Sequence, residues 1–154
     1  MKEGQKVPHV VFEDQNKASK DIYDLFMNEF TILFFYPKNN TPGCTKEVCA
    51  IRDNYSDFNN YSVSLFGVSA DSYSSHASFI SKHQLPFPLI SDREGKLRKA
   101  FQVKTELFGL LPGRVTYILN KEGVVQKIIE SQFNPQKHIT ESLEFLSKRL
   151  NLKV

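Results

Sequence analysis

The chain has 154 residues, 40% hydrophobic and 24% charged, a composition suited to one globular domain over residues 1–154 with a single buried core. Its 20 Lys and Arg against 17 Asp and Glu leave a formal charge of +3, and the basic residues are scattered, which argues against a nucleic-acid partner. No apolar run reaches the length of a signal-peptide core or a membrane span, so neither export nor a membrane is indicated, and a reducing, cytoplasmic setting is expected for Cys44 and Cys49.

In chain order, the first strong signal is Phe30–Tyr36 (FTILFFY), a short apolar run rich in aromatics that predicts a central strand buried on both faces. After Pro37 the stretch KNNTPG is dense in residues that make turns and start helices, with Thr41 placed as N-cap and Pro42 at the first helical position. Cys44, Val48, Ile51, Tyr55 and Phe58 then step by four, three, four and three, which predicts a helix that packs this stripe on the sheet and holds Cys44 in its first turn. Ser62–Ser69 predicts another strand, the polar stretch up to His83 a helix, and Phe87–Ile90 a short strand.

Val115–Leu119 and Val124–Ile129 flank Asn120–Gly123, where an opening Asn and a closing Gly predict a type I turn and a hairpin. A final helix starts near Pro135 and places Ile139, Leu143, Leu146 and Leu150 on one face. Alternating strands and helices followed by a hairpin and a closing helix point to the α/β class, a thioredoxin-like fold with a mixed central sheet flanked by helices.

Cys44 carries the chemistry in this pattern. A cysteine in the first turn of a helix faces the partial positive charge of exposed N–H groups, which favours thiolate over thiol; the ordinary alternative is a small buried apolar residue on the core stripe. Ionisation by itself is a small lever, because an unperturbed thiol is already about 3% thiolate at pH 7 and full ionisation gains about thirty-fold. For a thiolate nucleophile the larger task is stabilising charge on the departing atom and aligning the bond under attack with the sulfur, which needs fixed donors. The loop offers Thr41 and backbone N–H groups.

Pro37-x-x-x-Thr41-x-x-Cys44 resembles the peroxiredoxin active-site motif, and the surrounding YPKNNTPGCTKEVCAIRD resembles the bacterioferritin-comigratory, or Q-type, branch. The likeness continues through GVSADS, LPFPLISD and GRVTYILNKEG, from about Gly4 to Leu150, and is far more specific than a three-residue motif. The resemblance implies a thiol peroxidase with Cys44 as the peroxidatic cysteine, Thr41 bonding the peroxide, Pro37 shielding the site and Arg114 supplying a guanidinium to thiolate and peroxide. Arg114 taken alone reads as a solvated strand-end charge; its place before VTYIL in the family pattern carries the role. Glu47 matches a residue usual in the branch and lies three positions after Cys44, either reaching the same site or complementing the helix dipole. Asn39 departs from the pattern, standing where an acidic residue is common, which leaves the loop electrostatics open.

Cys49 lies five residues after Cys44, so on an intact helix it is turned about 140° away with the Cα atoms roughly 8–9 Å apart, beyond the reach of a disulfide. Members of the branch with this spacing are understood to unwind locally and close the disulfide, with thioredoxin or a similar dithiol as reductant; the alternative is resolution by an external thiol. Hydrogen peroxide and organic hydroperoxides are the implied substrates, no cofactor is implied, and a monomer is expected from the branch. The apolar Phe108–Leu111 segment reads either as flanking an opening suited to alkyl hydroperoxides or as a buried or dimer-forming loop.

Three rival functions have weaker support. A C-x4-C edge of a zinc site lacks partners, because His9, His76, His83 and His138 are scattered and read as surface or ordinarily packed residues. A thioredoxin-like disulfide exchanger lacks C-x-x-C and leaves the Thr41 motif unexplained. A non-catalytic binding module on the same fold is opposed by the intact set of Pro37, Thr41, Cys44 and Arg114.

Overall fold

The computed structural model describes residues 1–106, 111–132 and 134–150. Phe108–Leu110 and the side chain of Leu111, read above for an opening, lie outside this description. The first half of the chain runs β1 (Val11–Glu13), β2 (Ser19–Asp21), a 3₁₀ turn (Ile22–Leu25), β3 (Phe30–Phe35), α1 (Pro42–Asp53), α2 (Tyr55–Asn59), β4 (Ser64–Ser69) and α3 (Tyr73–His83). It continues through β5 (Leu89–Ser91), α4 (Lys96–Ala100), β6 (Thr105–Glu106), β7 (Leu111–Pro112), β8 (Val115–Asn120), β9 (Val125–Glu130) and α5 (Pro135–Leu150).

Every residue of β3 is buried, which places this strand at the middle of the sheet rather than at an edge. It pairs in parallel with β4 and antiparallel with β8, giving the order β5-β4-β3-β8-β9. Because side chains alternate across a strand, Ile32 and Phe34 face one side, joined there by Val48, Ile51, Phe79, Ile139 and Leu146. Leu33 and Phe35 face the other, packed with Ile22, Phe26, Leu97 and Phe101. A buried Phe or Leu contributes about 1.5–3 kcal/mol relative to exposure, so one strand fastens both helical layers. A mixed sheet with helices on both faces is what the alternation of predicted elements called for.

Three details depart from the sequence reading. The stripe from Cys44 to Phe58 is carried by two helices, because the chain breaks at Asn54, whose side chain bonds the Ala50 carbonyl at 2.7 Å. Two-stranded ribbons, β1 with β2 and β6 with β7, and α4 went unforeseen; each has five residues or fewer, too short for a periodicity to register. The hairpin forms as predicted but carries a register shift between Ile118 and Leu119, and Gly123 takes φ 77°, a left-handed conformation that closes the turn.

Candidate active site

The loop after β3 and the start of α1 form one wall of the site. Pro37 is half-buried two residues beyond the strand, Asn40 adopts φ 62°, and Thr41 turns into α1 with extended φ and ψ. Thr41 and Pro42 occupy the predicted cap and first helical positions, yet the Thr41 hydroxyl does not cap the helix; it donates back to the Lys38 carbonyl at 2.9 Å. This bond closes the loop on itself and brings the Lys38 N–H to 3.5 Å from Cys44 Sγ.

Cys44 is 1% exposed, as expected for the first residue of a core-facing stripe. The second wall comes from the residue just before β8, Arg114, which is buried instead of solvated. Its Nη2 donates to Cys44 Sγ at 3.3 Å, its Nη1 donates to Glu47 Oε2, and its Nε donates to the Gln132 carbonyl at 3.2 Å. The backbone N–H of Arg114 donates to Gln132 Oε1 at 3.0 Å, so Gln132 holds both ends of the residue. Gly43 makes room for this approach, since a Cβ there would stand 3.1 Å from Arg114 Nη2.

Glu47 is fully buried and pairs with Arg114, so of its two sequence readings the structure carries the one in which it reaches the site. Its two oxygens differ, because Oε1 has no hydrogen-bond partner among the described residues. Burial pushes this carboxyl up to about 7, against the charge and hydrogen bond of Arg114. Burial works against the guanidinium as well, but Glu47 and the Cys44 sulfur outweigh it and hold Arg114 above its usual value. The partners differ because the carboxylate is the more deeply enclosed and keeps one bare oxygen. Above about 7 the pair is therefore ionic, with a guanidinium shared between a carboxylate and a sulfur.

Cys49 is half-buried on the same intact helix, and both cysteines are free thiols. The structure thus brings Thr41, Cys44 and Arg114 together, sets Pro37 at the head of the loop, and leaves Cys49 apart by more than a helical turn. Among the described residues no group of three or more His, Cys, Asp or Glu stands close enough to hold a metal ion.

Residues 4–128 match the model of the AhpC/TSA family. The chain belongs to that family. Within it, the chain is 46% identical over 143 residues to the chloroplast peroxiredoxin Q of Arabidopsis thaliana, covering 93% of this chain and 66% of that protein, so it spans about two thirds of the relative's length. Among solved structures, peroxidoxin BcpB of Mycobacterium tuberculosis aligns with a TM-score of 0.86 at 32% identity, covering 97% of this chain and 98% of that one. The bacterioferritin comigratory protein of Xanthomonas campestris, described for its alkyl peroxide reduction activity, aligns with a TM-score of 0.78 at 27% identity over 90% of each chain. These matches place the chain in the Q branch of the family and its fold in the thioredoxin-like class.

The cytoplasmic expectation is corrected by the same comparison, since the peroxiredoxin Q proteins of Arabidopsis thaliana and Populus jackii, 46% and 45% identical to this chain, are chloroplast proteins. The physical reason is that organelle transit segments are amphipathic and Ser- and Arg-rich, so the lack of an apolar run says nothing about them. Sequence reasoning named backbone N–H groups of this loop as donors, and the Lys38 N–H is one of them; it missed Gln132 and Gly43. Gly43 lies in a loop-to-helix segment where glycine is ordinary, and Gln132 follows the hairpin as one of several polar residues, with Glu130, Ser131 and Asn134, from which only tertiary contact distinguishes it.

Proposed function

We propose that this AhpC/TSA family member is a thiol-dependent peroxidase acting on hydrogen peroxide and organic hydroperoxides as a monomer. The Cys44 thiolate attacks the nearer peroxide oxygen; the O–O bond breaks, the sulfur becomes sulfenic acid, and the departing oxygen takes a proton to leave as water or alcohol. The observation that carries this reading is the convergence of two donors, the Arg114 Nη2–H and the Lys38 N–H, on one buried sulfur. Donors fixed in that way sit where charge builds on the reacting oxygens and need no rearrangement during the step. Thr41, whose hydroxyl is already turned into the loop, positions the peroxide, and Pro37 screens the pocket from water.

Cys49 then attacks the sulfenic sulfur, forming the Cys44–Cys49 disulfide and releasing water, and a dithiol of the thioredoxin type reduces it. Bringing the Cα atoms below about 7 Å requires the first turn of α1 to open. That turn is lightly held, since Pro42, Gly43 and Lys46 are exposed and Cys44 is the buried residue among its first four. Oxidation assists, because a neutral sulfenic acid no longer offers Arg114 the charge that a thiolate does.

The test is intact mass and free-thiol count after one equivalent of hydrogen peroxide, on the wild-type chain and on Cys49→Ser. Loss of both thiols within one chain, with sulfenic acid trapped in the variant, is the expected result. Two thiols still titratable in the wild-type chain would leave a binding module as the better reading. Full thioredoxin-supported turnover in Cys49→Ser would replace the internal disulfide with an external resolving thiol.

A further inference from the structure

The loop that shapes the site is fastened at one residue. Asn39 is 2% exposed, and its N–H donates to Asp71 Oδ2 at 2.9 Å while its Oδ1 accepts from the Tyr36 phenol at 2.6 Å. Its Nδ2 reaches Ser75 Oγ at 3.1 Å and His76 Nδ1 at 3.0 Å, using both of its protons. Asp71 is held in turn by the Ser69 hydroxyl at 2.7 Å, so the loop is tied to the end of β4 and the first turn of α3.

His76 is 1% exposed, and its Nε2 lies 3.0 Å from the Ile90 carbonyl, a group that only accepts. A neutral ring in this place carries its proton on Nε2 and offers Nδ1 as the acceptor that Asn39 needs. The residue before Asn39 is Lys38, whose N–H points at Cys44 Sγ and whose carbonyl holds the Thr41 hydroxyl.

We propose that Asn39 and His76 are positioning residues of the peroxide site: a neutral His76 ring holds Asn39 and, through it, the Lys38 N–H and the Thr41 hydroxyl beside Cys44. This rests on the peroxidase reading above and adds how its donors are kept in place. Around the ring, Asp71 carries charge, while the Tyr36 phenol, Ser75, Tyr73 on the same helix and the Ile90 carbonyl are neutral. Burial holds the imidazole below its usual value, opposed by the Ile90 carbonyl and by Asp71. The contribution of the neutral ring is therefore full above about pH 6.5 and is lost as pH falls through the lower folded value, where a new N–H on Nδ1 faces the N–H of Asn39.

An Asp at position 39 reverses this dependence, because its second oxygen pairs with Nδ1 only when the ring is protonated. The experiment is the stopped-flow rate of Cys44 oxidation by hydrogen peroxide across about pH 5 to 8 for the wild-type chain, Asn39→Ala and Asn39→Asp, with the His76 ring followed by NMR. Asn39→Ala is expected to lose about tenfold or more in rate, the size of effect that follows misplaced reacting groups. The ratio of Asn39→Asp to wild type, in which effects common to both chains cancel, is expected to rise as pH falls, with His76 titrating at higher pH in the variant. Brisk wild-type reaction with a flat ratio overturns the positioning role alone. A wild-type chain that leaves peroxide unconsumed overturns the peroxidase reading and this role with it. If Asn39→Ala does not fold, the direction of the Asn39→Asp ratio decides by itself.

Discussion

At Arg114 one guanidinium reaches Cys44, Glu47 and the Gln132 carbonyl together, which a planar fork of donors permits and a single ammonium does not. Arg114→Lys keeps the charge but not the fork, and the second-order rate with hydrogen peroxide is expected to fall by about a hundredfold or more, read by stopped flow on a chain whose circular dichroism is unchanged. Gly43→Ala separates activity from stability. The added methyl stands 3.1 Å from Arg114 Nη2 and displaces it, lowering the rate, while replacing a helical glycine raises stability by about 0.5–1 kcal/mol. A variant that melts higher and reacts as fast as wild type would show that the guanidinium tolerates the shift. Glu47 supplies a pH dependence of defined sign. Its folded value, about 7, lies above the ordinary 4.5, so the folded chain binds the proton more tightly; that contribution to stability is full below 4.5 and is lost as pH rises through about 7. Urea unfolding of Glu47→Gln is expected to lack this step, and a step of unchanged size would place the titration on another group.

At the scale of elements, the proposed cycle sets α1 two needs that pull against each other. Its inner stripe of Cys44, Glu47, Val48 and Ile51 must be packed for the site to assemble, and its first turn must open for Cys44 and Cys49 to meet. The outer face offers a way to shift that balance without touching the site. Lys46 is exposed, and Lys46→Gly lowers helix propensity by about 0.5–1 kcal/mol. Disulfide closure after oxidation is then expected to run a few times faster, with the sulfenic acid step itself little changed, as rapid-quench mass analysis would separate. Equal closure rates would mean that opening is not what limits closure. The break at Asn54 confines the motion, because α2 begins afresh beyond it and Arg52 Nη1 donates to the His83 carbonyl at 2.7 Å, tying the far end of α1 to the end of α3.

Over the whole molecule, stability is expected to be graded from the sheet outward. β3 is buried along its full length and hydrogen-bonded on both sides, whereas the start of α1 is partly exposed. Native-state hydrogen exchange should therefore find the β3 amides opening only with global unfolding and the amides of residues 44–47 opening far sooner. Exchange of both segments at one common rate would remove the local opening on which the Cys44–Cys49 step depends.

What the sequence determined by itself was local or periodic. The run FTILFF names a central strand because no other environment accepts six consecutive large apolar and β-branched residues so readily, and Asn120 to Gly123 names a turn through the φ values its residues allow. The residues from Pro37 to Cys44 marked the loop and set Cys44 in the first turn of a helix, since Thr41 and Pro42 announce its start. Tertiary structure alone decided the rest. Arg114 lies 70 positions from Cys44 and Gln132 another 18 beyond, and only the antiparallel docking of β8 against β3 puts the guanidinium on the sulfur. Asn39 and His76 meet across 37 positions because β4 pairs in parallel with β3 and delivers α3 beside the loop. A polar side chain shows the same letter whether it is solvated or buried, so its role is settled by which strands become neighbours.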